Sequence, residues 1–380
     1  MAVAHGTNDG YVAFLAPLLP RMMEKLDLSI AMAAVLAMTL SISSSLLQPA
    51  AGYLADHVGR KRFAVLGPLL TAVFMSLIGV APTFAVLMGI LVMGGLGSAV
   101  FHPPGASMAT RVEDGKGSGL RLSFFSFGGA LGYAAGPLVV VAIVAAVGLE
   151  GLWVAMVPGI MLALLLWRVL PADPEREAHH PPPPTPVVLL KALVGPLGLL
   201  FVISAFGAFV QRVYLTMSPI IMAEHGGSEA LGAAALSIYL GAQALGTLTG
   251  GFLTDRWDRR RLLVGATLLS CPAHLLAVML EPGSAPALGA AATSGFLNMM
   301  MLPPIVVMAQ ELIPEGAAVG SGIVMGLAWA AGSVAMLGTG MLADVIGAVP
   351  AAALSMPLVL IGSALALHPA LRPVGRAPVR

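Results

Sequence analysis

Few side chains in this sequence could do chemistry. Asn8-Asp9 opens an apolar run, His102 sits inside "VFHPPGAS", and Arg212 sits inside "FVQRVYL". An imidazole is the side chain whose ordinary charge change falls between pH 5 and 8, so a carboxylate and an imidazole together can exchange a proton near neutrality. Arginine keeps its charge and offers a planar fork that matches carboxylate, phosphate or phosphonate. A proton site and an anion receptor are therefore the chemistry on offer. Beyond Asp9 and His102 there is no clustered nucleophile, acid–base set or metal-ligand spacing, so neither an enzyme nor a cofactor is expected. His179-His180 lies in a polar, proline-rich stretch and reads as a solvated pair, so no metal is expected there. Cys271 is the single cysteine, which excludes an internal disulfide, and its apolar surroundings suit packing.

The elements that must position these groups follow from composition. The chain has 380 residues, 58% hydrophobic and only 10% charged, with a mean hydropathy of +0.93. A water-facing surface needs about 25% charged residues, so this chain must face lipid. A spanning helix takes roughly 20 apolar residues. Twelve such stretches fit, near 6–26, 32–55, 63–82, 84–109, 120–147, 151–170, 193–223, 231–254, 262–281, 285–312, 318–343 and 348–368. No stretch shows the alternation of a membrane barrel. The expected class is an all-α membrane protein with twelve transmembrane helices in two six-helix bundles. With both termini cytoplasmic, all of the 19 Lys and Arg except Arg21, Lys25 and Arg212 fall in or beside cytoplasmic segments, which is the positive-inside bias. The opening "MAVAHGTNDG" has no basic n-region or cleavage site, so no removable signal is expected.

"PADPEREAHHPPPPTP" is the long polar, proline-rich stretch, and such segments make stiff linkers. It divides the chain into an N-terminal bundle (1–170), a cytoplasmic linker (171–190), a C-terminal bundle (191–368) and a cytoplasmic tail (369–380). The two bundles repeat each other. "GYLADHVGRKR" (52–62) aligns with "GFLTDRWDRRR" (251–261), matching Asp56 with Asp255, Arg60 with Arg259, Lys61 with Arg260 and Arg62 with Arg261. In the same frame Ser98 matches Asn298, Pro103-Pro104 matches Pro303-Pro304, and "LLP" at 18–20 matches "MSP" at 217–219. Parallel repeats of this kind build many secondary transporters.

The paired prolines suggest matched breaks. A proline removes an N–H and crowds a carbonyl one turn back, and lipid tolerates the freed carbonyl only where protein or a wet cavity satisfies it. Pro103, Pro104, Pro303 and Pro304 are thus expected helix breaks beside a binding site, or plain packing kinks. Ionisable groups within the membrane are functional candidates by default. Asp9 and His102 are candidates for proton coupling, or else a static polar cap. Ser204, Gly207, Gln211, Tyr214 and Ser218 follow 3–4–3–4 spacing and form one polar helix stripe, with Arg212 about 100° round from Gln211. Arg212 is the expected anion receptor, or else a structural partner for an acid such as Glu311 or Asp9. Gln211, Tyr214, Asn298, Asn8 and Ser98 are the accompanying polar contacts, while Gly94, Ser98, His102 and Gly105 share a face on helix four. His274 and Gln243 show no partner, Gln310 and Glu311 end helix ten at the cytoplasmic side as a gate contact or as solvated groups, and "GMLADVIG" (340–347) reads as a helix end.

"GYLADHVGRKR" resembles the loop motif of the major facilitator superfamily between its helices two and three. In that family the motif's Asp stabilises the outward-facing state, and the resemblance carries this role to Asp56. Asp56, Arg60, Asp255, Arg259 and Arg121 form the expected conformational gate, with a purely topological role for the arginines as the alternative. "HGTNDGYVAFLAPLLP", "SSSLLQPAAGYLAD", "GSAVFHPPGASMA" and "SFFSFGGALGYAAGPL" further resemble the fosmidomycin resistance proteins, drug efflux transporters that export an anionic phosphonate by proton antiport. Two departures stand out. Pro104 occupies a place where those relatives commonly carry an acid after F-H-P. "GYAAGP" starts their helix-five antiporter motif, but Val140 and Val141 replace its closing glycines.

The resulting expectation is a secondary transporter, a proton-coupled antiporter for drug efflux that confers antibiotic resistance. Its cargo is a small amphiphilic or anionic compound, moved by alternating access. The expected partners are that small molecule, protons and the lipid bilayer. No nucleic acid partner is expected, and the protein would be a monomer in the cell inner membrane. Proton-coupled uptake of an organic anion is the alternative in the same fold. A membrane-embedded enzyme or a non-transporting sensor is the alternative of another class.

Overall fold

The computed structural model describes residues 1–110, 118–171, 193–313 and 317–375. Most of the proline-rich linker, with His179-His180, and the last residues of the tail lie outside that set. The described residues form helices and turns, with no strand among them. Among the described residues, eleven helices are long and apolar enough to cross a membrane. The remaining crossing, read from the sequence as one span, is divided into α1 (Ala2–Val12) and α2 (Leu15–Leu26). Pro17 lies in the first turn of α2, where a missing N–H is tolerated, and its ring bars a continuous ladder through Ala13 and Phe14.

By contacts the chain forms two units. The first takes Met1–Leu28 and the chain from Thr39 into the linker. It contains α1, α2, the last part of α3 (Ile30–Ser45), α4 (Gln48–Val58), α5 (Arg60–Ser76), α6 (Phe84–Thr110), α7 (Ser118–Val147) and α8 (Met156–Val169). The second takes the rest of the chain and also Ser29–Met38, the start of α3. It contains α9 (Pro196–Glu224), α10 (Glu229–Thr254), α11 (Arg259–Met279), α12 (Ala285–Met300), α13 (Leu302–Leu312), α14 (Ala317–Gly322), α15 (Ala328–Ile346), α16 (Ala348–Ser355) and α17 (Leu360–Ala366). Asp344, which the sequence reading took merely to end a helix, accepts from the amides of Ile30 (2.8 Å) and Ala31 (3.2 Å). A carboxylate there satisfies amides that a helix start leaves unpaired and meets the positive end of its dipole.

Apolar residues are distributed as lipid solvation requires. Phe124, Phe127 and Leu131 of α7 and Met161, Leu164 and Leu165 of α8 are exposed, because the bilayer, not water, is their solvent. With no hydrophobic drive between helices in lipid, association relies on close packing of small residues. In the first unit α1 meets α7 through such a seam. A Cβ on Gly6 would come within 2.6 Å of the Gly128 carbonyl oxygen, and one on Gly132 would overlap the Gly6 carbonyl. Gly136 meets Gly10 in the same way one turn further on. The second unit repeats the device, with Gly246 and Gly250 of α10 against the Phe296 and Met300 carbonyls.

The two proline pairs behave differently. Pro303 and Pro304 sit in the first turn of α13, directly after the chain leaves α12 at Met301. That is a helix start, where proline loses nothing. The break expected at Pro103-Pro104 is absent, because α6 runs through both residues from Phe84 to Thr110. The ring of Pro103 rests where α4 presents Gly52, whose added Cβ would lie 3.1 Å away, so packing on α4 supports the helix across its missing bonds.

The seam makes a direct prediction. Gly132→Ala should lower the thermal midpoint of the detergent-purified protein, by overpacking of about 1–3 kcal/mol. Gly289→Ala, where an added methyl meets nothing within 4 Å, should leave the midpoint unchanged or raised. Equal midpoints for the two variants would contradict the seam.

Candidate functional site

Three ionisable groups of the first unit meet at one point. His5 and Asp9 lie one turn apart on α1, so they share a face, and α6 brings His102 to them. The His5 Nε2 lies 3.1 Å from Asp9 Oδ2, and the His102 Nε2 lies 3.4 Å from Asp9 Oδ1. The two Nε2 atoms are 3.3 Å apart. The sequence-derived pair of Asp9 and His102 is therefore together, joined by His5, which sequence reasoning missed. The four-residue spacing of His5 and Asp9 on one helix was a signal that could have found it.

Backbone contacts decide where the ring protons are. The His5 Nδ1 lies 2.8 Å from the Phe125 carbonyl, and the His102 Nδ1 lies 2.7 Å from the Ser98 carbonyl. A carbonyl only accepts, so Nδ1 carries the hydrogen in both rings. Each neutral ring then turns an Nε2 lone pair towards the Asp9 carboxylate and towards the other ring. Four acceptor atoms meet, and the donor the structure gives them is Asn8 Nδ2, at 3.0 Å from Asp9 Oδ1. A cation fits that arrangement, and one proton on either Nε2 makes an imidazolium that can donate to the carboxylate.

The scaffold around the cluster is tight. His5 stacks on Phe125 with ring centres 4.1 Å apart. One turn along α7 from Phe125 stands Gly129, where any Cβ would collide with the imidazole. Asn8 is fully buried and also donates to Ser98 Oγ at 3.1 Å. Asn8 and Ser98, expected as substrate contacts, thus brace the Asp9 cluster. His102 does not use a carbonyl freed by proline. In helical register Pro103 and Pro104 release Ala99 and Val100, whereas the ring bonds Ser98.

The second unit carries the opposite need. Arg212 on α9 has a buried Nε without a hydrogen-bond partner, and its guanidinium lies 5.9 Å from the centre of the Trp329 ring. Glu311, considered from sequence as its partner, instead accepts from Arg259 at 2.7 Å. Trp329 lines an open recess of about 240 Å³ together with Ser204, Gly207, Gln211, Asn298 and Met301. Asn298 donates to the Gly207 carbonyl (3.0 Å), and Gln211 donates to Gln243 Oε1 (3.0 Å), whose own Nε2 is buried without a partner. Gln243 was invisible as a contact in the sequence. Trp329 follows directly on a π-turn, Ile323–Leu327, that joins α14 to α15, and Ser204 Oγ donates to the Val324 carbonyl within it. Tyr214 does not line this recess. It stacks on Tyr239 at 4.3 Å, and Tyr239 meets His274 Nε2 at 3.2 Å.

The repeated charged loops are built differently. In the first copy Arg60 Nε donates to Asp56 at 2.6 Å, and Lys61 donates to the Leu170 carbonyl at 2.6 Å. In the second, Asp258 caps α11 by accepting from the Arg261 amide, while Arg259 is buried against Glu311 and the Val374 carbonyl. Asp255 and Arg121 are both exposed.

The described residues thus form a helical membrane protein of two units, one with a carboxylate held between two imidazoles and the other with an arginine whose buried Nε has no hydrogen-bond partner. The family model of the Major Facilitator Superfamily matches residues 1–234 and 197–379, and the chain belongs to that family. The fosmidomycin resistance protein of Escherichia coli (strain K12) is 27% identical over 355 residues, covering 90% of this chain and 85% of that one. The transporter YfnC of Bacillus subtilis (strain 168) is 28% identical over 368 residues, covering 92% and 87%. Among solved structures, an inward-facing bacterial homologue of the lysosomal transporter Spinster superposes with a TM-score of 0.81 at 18% identity, covering 100% of this chain and 97% of that one. A D-xylose–proton symporter superposes with 0.75 at 15% identity, covering 96% and 95%. These two similarities carry the fold.

If Asn8 positions the carboxylate, Asn8→Ala should slow transport roughly tenfold while the protein still elutes as a folded species. The loss corresponds to about 1–3 kcal/mol for a buried group left short of its bonds. Full transport by Asn8→Ala in proteoliposomes would show that the brace is dispensable.

Proposed function

We propose that this protein is a proton-coupled antiporter of a cell inner membrane, with both termini cytoplasmic. It exports a small anionic or amphiphilic compound of fosmidomycin-like chemistry as a monomer. The observation that carries the reading is the donor-poor meeting of His5, Asp9 and His102, where one added proton converts facing acceptors into an ion pair. The similarity to the fosmidomycin resistance protein supports both the anionic cargo and the direction.

In this reading Arg212 receives the anion, Gln211 and Asn298 contact its polar edge in the recess, and Trp329 packs on it. Tyr214 acts through its stack on Tyr239, and Asn8 and Ser98 act by holding Asp9. Asp56 with Arg60, Arg259 with Glu311, and the exposed Asp255 and Arg121 form the gate, whose contacts differ in strength between the two states. The prolines of α6 and α13 shape the helices beside the two sites. Protonation and anion binding each shift the alternating-access equilibrium only by their difference in affinity for its two states.

The test is transport in liposomes, with the compartment that corresponds to the cell exterior made acidic. Fosmidomycin should accumulate on the acidic side with wild type, and collapse of the gradient should stop it. Asp9→Asn should keep fosmidomycin binding and lose gradient-driven movement. Arg212→Ala should weaken binding tenfold or more, a loss of roughly 1.4 kcal/mol or above. Undiminished gradient-driven movement by Asp9→Asn, or no movement with wild type, would overturn the reading.

A further inference from the structure

We infer that His5, Asp9 and His102 form a binding site for one divalent transition-metal ion of the zinc class. The inference uses the same side chains as the proton reading but rests on their geometry alone. The three residues can each turn a ligand atom to a common point, the atoms all lying within 4.8 Å of one another. Their separations are 3.1, 3.4 and 3.3 Å. Ligand atoms held about 2.0–2.1 Å from a tetrahedral zinc are about 3.3–3.4 Å from each other. The Nε2–Nε2 separation and the reach of each ring to its own carboxylate oxygen, Oδ2 for His5 and Oδ1 for His102, are thus each close to an edge of that tetrahedron, which the carboxylate completes with one oxygen as it turns about its terminal bond.

Three further features fit a metal. Both rings present Nε2 while Nδ1 donates to a backbone carbonyl, of Phe125 or of Ser98. That is the outer-shell contact that orients a ligating histidine. Asn8 Nδ2 donates to Asp9 Oδ1 and to Ser98 Oγ, which holds the carboxylate in place. The side chains retain 10%, 20% and 26% exposure for His5, Asp9 and His102, so an ion has a way in and a fourth position stays open for water or an anionic ligand. Two imidazoles and one carboxylate suit zinc, cobalt or nickel, whereas calcium and magnesium take oxygen ligands. No metal is expected from sequence spacing, because that spacing shows His5 and Asp9 on one helix but not His102 beside them. These three ligands come from two helices and meet only on folding.

Cobalt(II) provides the test, since its visible ligand-field bands report a four-coordinate site directly. Tag-free, full-length protein in detergent should develop these bands up to one equivalent of cobalt, and one equivalent of zinc should bleach them. His5→Ala, Asp9→Asn and His102→Ala should each weaken cobalt binding at least tenfold. His274→Ala and the double variant His179→Ala/His180→Ala should bind as wild type does. Thermal unfolding in detergent identifies any variant that has lost its fold, and His5→Gln then replaces His5→Ala. Absence of the bands in wild type, bands unaffected by the three ligand variants, or bands lost with His179 and His180 would each overturn the inference. Transport in metal-free liposomes is read separately, so failure of the metal site and failure of the antiport reading are distinguishable.

Discussion

The structure of the first unit depends on one demand, that the Asp9 carboxylate find its partners inside the protein. Lipid offers it none, and a charge without partners there costs several kcal/mol. The partners come from two directions. His5 is on the same helix, and α7 fixes it by stacking Phe125 on its ring and leaving room for the ring at Gly129. That placement is possible only because Gly6, Gly10, Gly128, Gly132 and Gly136 let α1 and α7 touch backbone to backbone. His102 arrives on α6, which passes through two prolines without breaking.

The two units answer each other chemically. At its cluster the first holds more acceptors than donors. The second holds Arg212, a fixed cation with an unpaired Nε, beside a recess lined by Gln211, Asn298 and Trp329. In the function proposed above, a proton at the first and an anion at the second would each bias one conformational equilibrium. The π-turn before Trp329 belongs to this arrangement, since such turns often mark functional places in a helix.

Sequence repetition did not enforce structural repetition. Asp56 and Arg60 pair within their own loop, while the matching Arg259 turns inward to Glu311 and to the chain's last turns, and Asp258 takes over as a helix cap. The proline pairs diverge likewise, one inside a continuous helix and the other at a helix start. A motif specifies residue types, but the neighbours that other helices supply decide which bond each one makes.

The sequence by itself determined the class. Apolar runs of spanning length, scarce charge and a repeated charged loop are local properties, so the all-α membrane fold of this family was legible from them. The candidate charges were legible too, because Asp9, His102 and Arg212 stand alone in apolar stretches. Tertiary structure decided what those charges do. It added His5, Phe125, Gln243 and Trp329, it bonded Asn8 to Asp9 and to Ser98, and it gave Asp344 a helix start to cap. The reason is geometric: a helix face is set by spacing of 3.6 residues along one chain, but which face meets which is set by close contacts between helices far apart in sequence.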